Sequence, residues 1–291
     1  IGGVERFNRY WQETAANLTT GVRGKLGGSE WDYEAAWSGS VYRSRNNRPR
    51  LLANIDSFFL GPQLGTDANG VPIFAPDVSR FDTPLTADEF TNLMGRTKSK
   101  DVTWLQTVSV TTQGPLFDLP AGPVRMAGVL EWGSQGFSNR PDASINEGLY
   151  FNTPPQDKVS GSRKRYAAAA ELRIPVLAPL TATVAGRFDD YSFADRGDNK
   201  FTYNAGLEYR PLPSLLLRGN YSTSFRAPDM NYVFQTLTRG YFSSTTDYYR
   251  CAEAGQPLSD CEFANVSPGN NFVQSGNRDL KFAVVRYGNV M

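Results

Sequence analysis

The sequence predicts an all-β fold: an antiparallel transmembrane β-barrel wall of about eight contiguous strands. Three observations carry this prediction. Side chains alternate between apolar and polar with period two in eight segments, each of roughly ten residues, the length that crosses a bilayer when tilted. The connections between those segments sort by length, short ones alternating with longer ones. Aromatic residues mark both ends of the apolar faces.

The segments follow in order. The first, 16–26, leads through Gly27-Gly28-Ser29-Glu30 into 31–41, where Trp31, Tyr33, Ala35, Trp37 and Val41 share a face. A long loop, 44–101, precedes 102–112. The short link 113–123 precedes 124–132, and a second long loop, 133–162, follows. In 166–174, Tyr166, Ala168, Ala170, Leu172 and Ile174 oppose Arg165, Glu171 and Arg173. The run Ala167 to Ala170 favours a helix by propensity. The strict alternation, with Pro175 directly after it, favours a strand. After the link 175–179, the segment 180–188 puts Leu180, Ala182, Val184 and Phe188 together. A medium link, 193–199, leads to 201–210, with Phe201, Tyr203, Ala205, Leu207 and Tyr209 alternating against polar neighbours. The link 211–214 leads to 215–225, and a third long loop, 227–280, follows. A soluble sandwich has no reason to sort its loops this way. A membrane barrel does, with short turns on its periplasmic rim and long loops outside.

The rings fit that frame. Trp104, Trp132, Tyr166, Phe188, Phe201 with Tyr203, and Tyr221 with Phe225 fall at the outer ends of the apolar faces, and Trp31, Tyr33 and Tyr209 at the other end. Amphipathic rings suit the headgroup level. The opposite face carries Arg23, Lys25, Glu34, Glu131, Arg173, Arg187, Glu208, Arg210 and Arg218. A dry core does not hold so many charges unpaired, whereas a wet lumen does.

Composition narrows the function. Lys+Arg is 30 and Asp+Glu 29, so the near-neutral chain has no electrostatic footprint for nucleic acid. Histidine is absent, which removes Ser-His and Cys-His pairs and His-ligated metals. No enzyme, metal site or cofactor is expected. Mean hydropathy is −0.42 and no run of 18 apolar residues occurs, so a transmembrane helix is not expected. Ile1-Gly2-Gly3-Val4 lacks the features of a signal peptide, so the chain reads either as cytosolic or as a piece of a longer or processed protein. Cys251 and Cys261 lie ten residues apart in polar sequence. They read as a loop-closing disulfide in an oxidising compartment, or as two thiols in a reducing one.

Several segments resemble the TonB-dependent outer-membrane receptors. The most specific is Ser224-Phe225-Arg226-Ala227-Pro228 at the top of a strand, followed by Ser275-Gly276-Asn277-Arg278-Asp279-Leu280-Lys281 after a loop with a Cys pair, itself similar to the family. Leu116 to Val124 with Gly128, Glu131 and Trp132 also match, as do Glu171 to Pro175 leading to Arg187–Ser192, and Tyr203 to Pro211. The resemblance covers nearly the whole chain but only the middle of such a receptor, whose barrel has about 22 strands. Neither a plug domain nor a TonB-contacting segment is found, and after Lys281 the sequence departs from the family pattern. Residues 1–291 are expected to be a partial barrel domain in the bacterial outer membrane.

The resemblance implies active uptake of a scarce, bulky solute: a siderophore, cobalamin or an oligosaccharide. Outer loops bind it, and TonB, reached through the plug, supplies energy. Binding is assigned to Arg239, Tyr241, Phe242, Tyr248, Tyr249 and Arg250, because rings stack on sugars or catecholates and Arg pairs with anions. Outer-membrane lipid and lipopolysaccharide are the other expected partners. Arg43, Arg45, Arg48 and Arg50 form a basic cluster that reads as a lipopolysaccharide contact or as a solvated loop.

Other features read as structure. Thr86 and Glu89 form a capping box ahead of Phe90, Leu93 and Met94, so a short helix ending at Gly95 is predicted. Asp189 and Asp190 point to opposite strand faces and make no catalytic pair. Asp195, Asp198 and Asn199 read as a solvated turn before a calcium site, and Arg196-Gly197-Asp198 as a chance tripeptide. Two other functions compete with transport: a small passive or adhesive eight-stranded barrel, and a secreted glycoside-active or lectin-like β protein.

Overall fold

The computed structural model describes residues 7–193, 196–266 and 271–290. Nine strands form one antiparallel sheet, joined in chain order by hairpins and outer loops. They are β1 (Tyr10–Lys25) and β2 (Asp32–Leu51), then, beyond the small hairpin β3 (Gln63–Thr66) and β4 (Pro72–Phe74), β5 (Met94–Leu119), β6 (Gly122–Arg140), β7 (Val159–Leu177), β8 (Leu180–Phe193), β9 (Arg196–Leu212) and β10 (Leu215–Arg226). A second small hairpin, β11 (Thr238–Tyr241) and β12 (Asn271–Gln274), interrupts the chain before the ninth sheet strand, β13 (Ala283–Val290). Five short helices lie in the outer loops: α1 (Ile55–Leu60), α2 (Ser79–Asp82), α3 (Ala87–Leu93), α4 (Met230–Phe234) and α5 (Tyr248–Glu253). Among the described residues no helix is long and apolar enough to cross a membrane.

The alternation fixes which face each side chain takes. The rows Leu172–Val184–Ala205 and Ala168–Phe188–Phe201 lie on one face, and Glu171–Ala185–Asn204 and Ala169–Arg187–Thr202 on the other. A slip of one residue would put every arginine of the second face among the apolar rows, so the pairing is strongly specified. Among the described residues the apolar face has no covering layer. Leu18, Val22, Leu130 and Leu207 are all more than half exposed on it. The buried apolar residues are few and lie mostly in the loops and at strand ends, as with Phe90, Leu93, Ile145 and Val233. An uncovered apolar wall of this extent is what hydrocarbon, rather than a second sheet, accommodates. The outer strands β1 and β13 do not pair with one another among the described residues, so the sheet is an open part of a barrel wall.

The strands are longer than their alternating cores. The sheet runs through 43–51 and 94–101, so the first outer connection is 52–93 rather than 44–101; likewise β6 and β7 extend outwards and leave 141–158 rather than 133–162 between them. The predicted medium link 193–199 is corrected: Arg196 to Asn199 belong to β9 and pair with β8, with Phe193 opposite Arg196. The outer rim therefore carries three long connections and one short one. Ala283 to Val290 form a ninth strand paired with β10, beyond the eight segments that the alternation marked. The short turns fit their residues: Gly27 and Gly28 take φ of 53° and 75°, which only glycine adopts freely, and Leu26 and Trp31 close the turn at 2.9 Å.

The predicted helix is α3, and both halves of its capping box are present. The backbone N–H of Thr86 donates to Glu89, holding that carboxyl below the usual range, aided by the Thr86 hydroxyl and Arg80.

Candidate ligand-binding wall and outer loops

The polar face forms the concave wall. Alternation brings Glu131, Arg165, Arg187 and Asp189 together from β6, β7 and β8. Arg165 Nη2 lies 3.1 Å from Glu131 Oε2, and Arg187 reaches the same oxygen. Arg187 also grips Asp189 bidentately, at 2.8 and 3.0 Å. Asp189 is only 2% exposed, so the pair is fixed both by burial and by two charge-assisted bonds. Two arginines face two carboxylates, leaving this patch charge-balanced. Asp190 pairs across the ladder with Tyr166 on the opposite face, so the two adjacent aspartates are separated as predicted. Below this patch, a concavity of about 990 Å³ is lined by Arg23, Glu34, Glu171, Arg187 and Asn204 among others.

At the top of the wall the chain turns inward. β10 pairs with β9 only as far as Ser222. The hydroxyl of Thr223 then accepts from the Tyr203 N–H at 2.9 Å in place of the ladder. Beyond it, Phe225 packs edge-on against Tyr191 at 6.0 Å and stacks on Phe282 at 5.0 Å. Phe225 also borders the same depression as Glu131 and Arg187. It is therefore an inner-wall residue, which corrects its expected place in the outer aromatic girdle; beyond Ser222 β10 has parted from β9 while it stays paired with β13 through Arg226. The rest of the girdle is continuous: Trp132 pairs with Tyr166 and Phe188 with Phe201, while Tyr203 stacks near Phe201 and Tyr221.

The loop that follows is held down across three strands. Arg226 ends β10, Ala227 and Pro228 make the turn, and Arg163 of β7 donates to the Pro228 carbonyl at 2.9 Å. The Gln135 amide lies 2.7 Å from Nε and Nη2 of the same guanidinium, two donors that assign its oxygen to that side. Asp229 caps α4 by accepting from Asn231 N. Phe234 of α4 then lies over Gly161, where a Cβ would sit 2.2 Å from its ring, and its ring approaches Phe137 edge-on at 6.5 Å. At the far end, Arg196 donates to the Arg278 carbonyl at 3.1 Å.

The ring residues assigned to binding fall in this loop on two separate elements. Arg239 and Tyr241 belong to β11, and Phe242, just beyond it, stacks on Phe272 at 4.5 Å. Tyr248, Tyr249 and Arg250 belong to α5, whose N-terminus Asp247 caps. Tyr241, Phe242, Tyr248 and Tyr249 are all more than half exposed. Cys251 and Cys261 are joined by a disulfide, with Cα atoms 5.7 Å apart. Arg163 and Phe282 were missed in the sequence, and Phe234 was read there only as one more ring of the loop. Arg163 shares the strand parity of Arg165 and was in that sense visible, but Phe234 and Phe282 carry no local signal of where they pack. Asp195 lies outside the described residues, and Asp198 and Asn199 are strand residues; no metal-binding cluster occurs among the described residues.

The four arginines of the basic cluster separate by parity. Arg43 and Arg45 continue the apolar face of β2 above Val41, whereas Arg48 and Arg50 turn inward.

A family model described as TonB dependent receptor-like, beta-barrel matches residues 2–283. Among solved structures the chain is similar to the siderophore receptor PirA from Acinetobacter baumannii, at 13% identity and TM-score 0.48, over 97% of this chain and 32% of that one. It is also similar to a chain in the structure of the FpvAI–pyocin S2 complex, at 14% identity and TM-score 0.39, over 70% of this chain and 28% of that one. The chain thus spans about a third of the length of these structures. No curated protein matches it.

Proposed function

The chain belongs to the TonB-dependent receptor-like β-barrel family of the bacterial outer membrane, and from that premise we propose that it is the wall of an active transporter for a scarce, bulky solute. Residues 1–291 form part of the barrel domain. The apolar face meets outer-membrane lipid and its lipopolysaccharide leaflet, and the polar face lines the solute path. The observation that carries this reading is the loop between β10 and β13. It is pinned over the inner wall at Pro228 and Phe234, yet it leaves Tyr241, Phe242, Tyr248 and Tyr249 exposed. Such rings, with Arg239 and Arg250 beside them, stack on sugar or catecholate rings and pair with anionic groups. Energy comes from the TonB complex, reached through a plug domain of the complete receptor. The solute class is a siderophore, cobalamin or an oligosaccharide.

The test is growth and uptake in a strain lacking the complete gene, with iron chelates, cobalamin and oligosaccharides supplied singly. Transport of one solute that depends both on this gene and on TonB supports the reading. Uptake unchanged by deletion of either gene for every solute refutes it.

A further inference from the structure

The outward face carries a charge arrangement that sheet stability alone disfavours. In the ladder, Arg45 stands directly opposite Lys100, and Lys100 directly opposite Arg140. Three cations therefore form one cross-strand row over β2, β5 and β6. Like charges placed directly opposite destabilise a sheet. None of the three forms an ion pair with a described residue. All three are exposed. Arg43 lies two residues below Arg45 on the same face, and Lys98 two residues above Lys100. The neighbouring carboxylate, Asp142, is already engaged by the backbone N–H groups of Lys98 and Ser144 and by the Ser144 hydroxyl.

The row also borders a groove. Tyr10, Gln12, Arg45, Asn47, Lys98 and Lys100 line a hollow of about 410 Å³ on this face. Its upper end is set by Arg96, which donates to Asn47 Oδ1 at 2.8 Å and to the Asn8 carbonyl at 2.8 Å while lying over the Tyr10 ring. Height is the remaining fact. Val41 and Trp104 face each other at the top of the apolar band, and Arg45 and Lys100 are four residues further out on the same two strands. At a tilt of about 40° and about 3.4 Å per residue, that is roughly 10 Å above the rings, at the membrane headgroups. Long basic side chains reach down from there with their apolar stems on the wall.

We propose that the Arg45–Lys100–Arg140 row, with Arg43 and Lys98, is a docking site for the phosphorylated headgroup of the outer-leaflet glycolipid, lipid A. Phosphate oxygens between the cations turn a repulsive row into charge-assisted hydrogen bonds. The inference rests on the lipid-facing reading of the apolar wall.

The test places the complete receptor in phosphatidylcholine nanodiscs holding a few per cent of bisphosphorylated lipid A, and counts retained lipid by native mass spectrometry. The variant R45Q/K100Q/R140Q is expected to weaken retention about tenfold to a hundredfold, given the worth of each cation at an anionic surface. Dephosphorylated lipid A should be retained no better than by that variant. The inward pair R48Q/R50Q should behave as wild type. Equal retention by the triple variant, equal loss in R48Q/R50Q, or displacement of lipid A by millimolar inorganic phosphate would overturn the proposal. Failure of the wild type to enter nanodiscs would instead remove the lipid-facing reading beneath it.

Discussion

An arginine placed on alternate faces of one strand separates a membrane wall from a soluble sheet. Along β8, Leu180 is level with Tyr209 and Phe188 with Phe201. The eight residues from one ring row to the other rise about 27 Å along the strand, or roughly 21 Å across a membrane at a tilt of about 40°. That matches an apolar band of about 25 Å. Val184 is midway, flanked by Leu172 and Ala205 and 49% exposed on the outward face. If this face meets hydrocarbon, Val184→Arg costs about 2–4 kcal/mol, the midplane value for a barrel. Ala185, its neighbour, faces the lumen opposite Glu171 and Asn204. Ala185→Arg gains a carboxylate partner and should stay within about 0.5 kcal/mol of wild type. The two variants should then differ by at least about tenfold in folding equilibrium. Urea titration of the receptor folding into dilauroylphosphatidylcholine vesicles measures both. A water-exposed wall predicts two near-neutral variants. Val184→Arg and Ala185→Arg of equal stability, or Ala185→Arg the worse, would refute the assignment of faces.

Three further outcomes are expected. Arg163→Met removes the charged donor to Pro228 and Gln135, so proteolysis of the loop between β10 and β13 should rise about tenfold to a hundredfold while the barrel melts unchanged. Cys251→Ser opens a loop of ten residues and should lower local stability around α5 by about 2–3 kcal/mol, read by amide exchange in 247–263. Glu89 has a depressed pKa, so its contribution to α3 is present above the ordinary glutamate range and is lost as pH falls through the lower folded value. Amide protection in α3 should therefore be flat down to about pH 5 and drop below about pH 4, and Glu89→Gln should abolish that step.

Sequence periodicity captured the barrel wall where lipid imposes it and lost it where lipid ends. Tyr166 to Ile174 alternate strictly because one side meets hydrocarbon and the other water. Gly95 to Asp101 and Arg43 to Arg50 are polar on both sides, so nothing in their pattern separates strand from loop, yet they pair residue by residue. The same blindness turned Arg196 to Asn199 into a link. Phe225 was misplaced because alternation assumes pairing on both sides, and on the β9 side the ladder gives way to the Thr223 hydroxyl. The rings assigned to binding were identifiable by type alone. What anchors their loop, Phe234 over Gly161 and Phe282 against Tyr191, depends on contacts between residues tens of positions apart.

The unequal strands have a last consequence. From Trp104 back to Met94, β5 continues for ten residues, paired with β2 throughout and with β6 as far as Lys100. At the same tilt that is about 26 Å of parapet above the ring row, nearly a second bilayer core in height. Under the transport reading proposed above, an arriving solute would meet this rim and its ring-studded loop well clear of the membrane surface. Changes that shorten the parapet would leave insertion intact while sinking the mouth into the surrounding sugar layer.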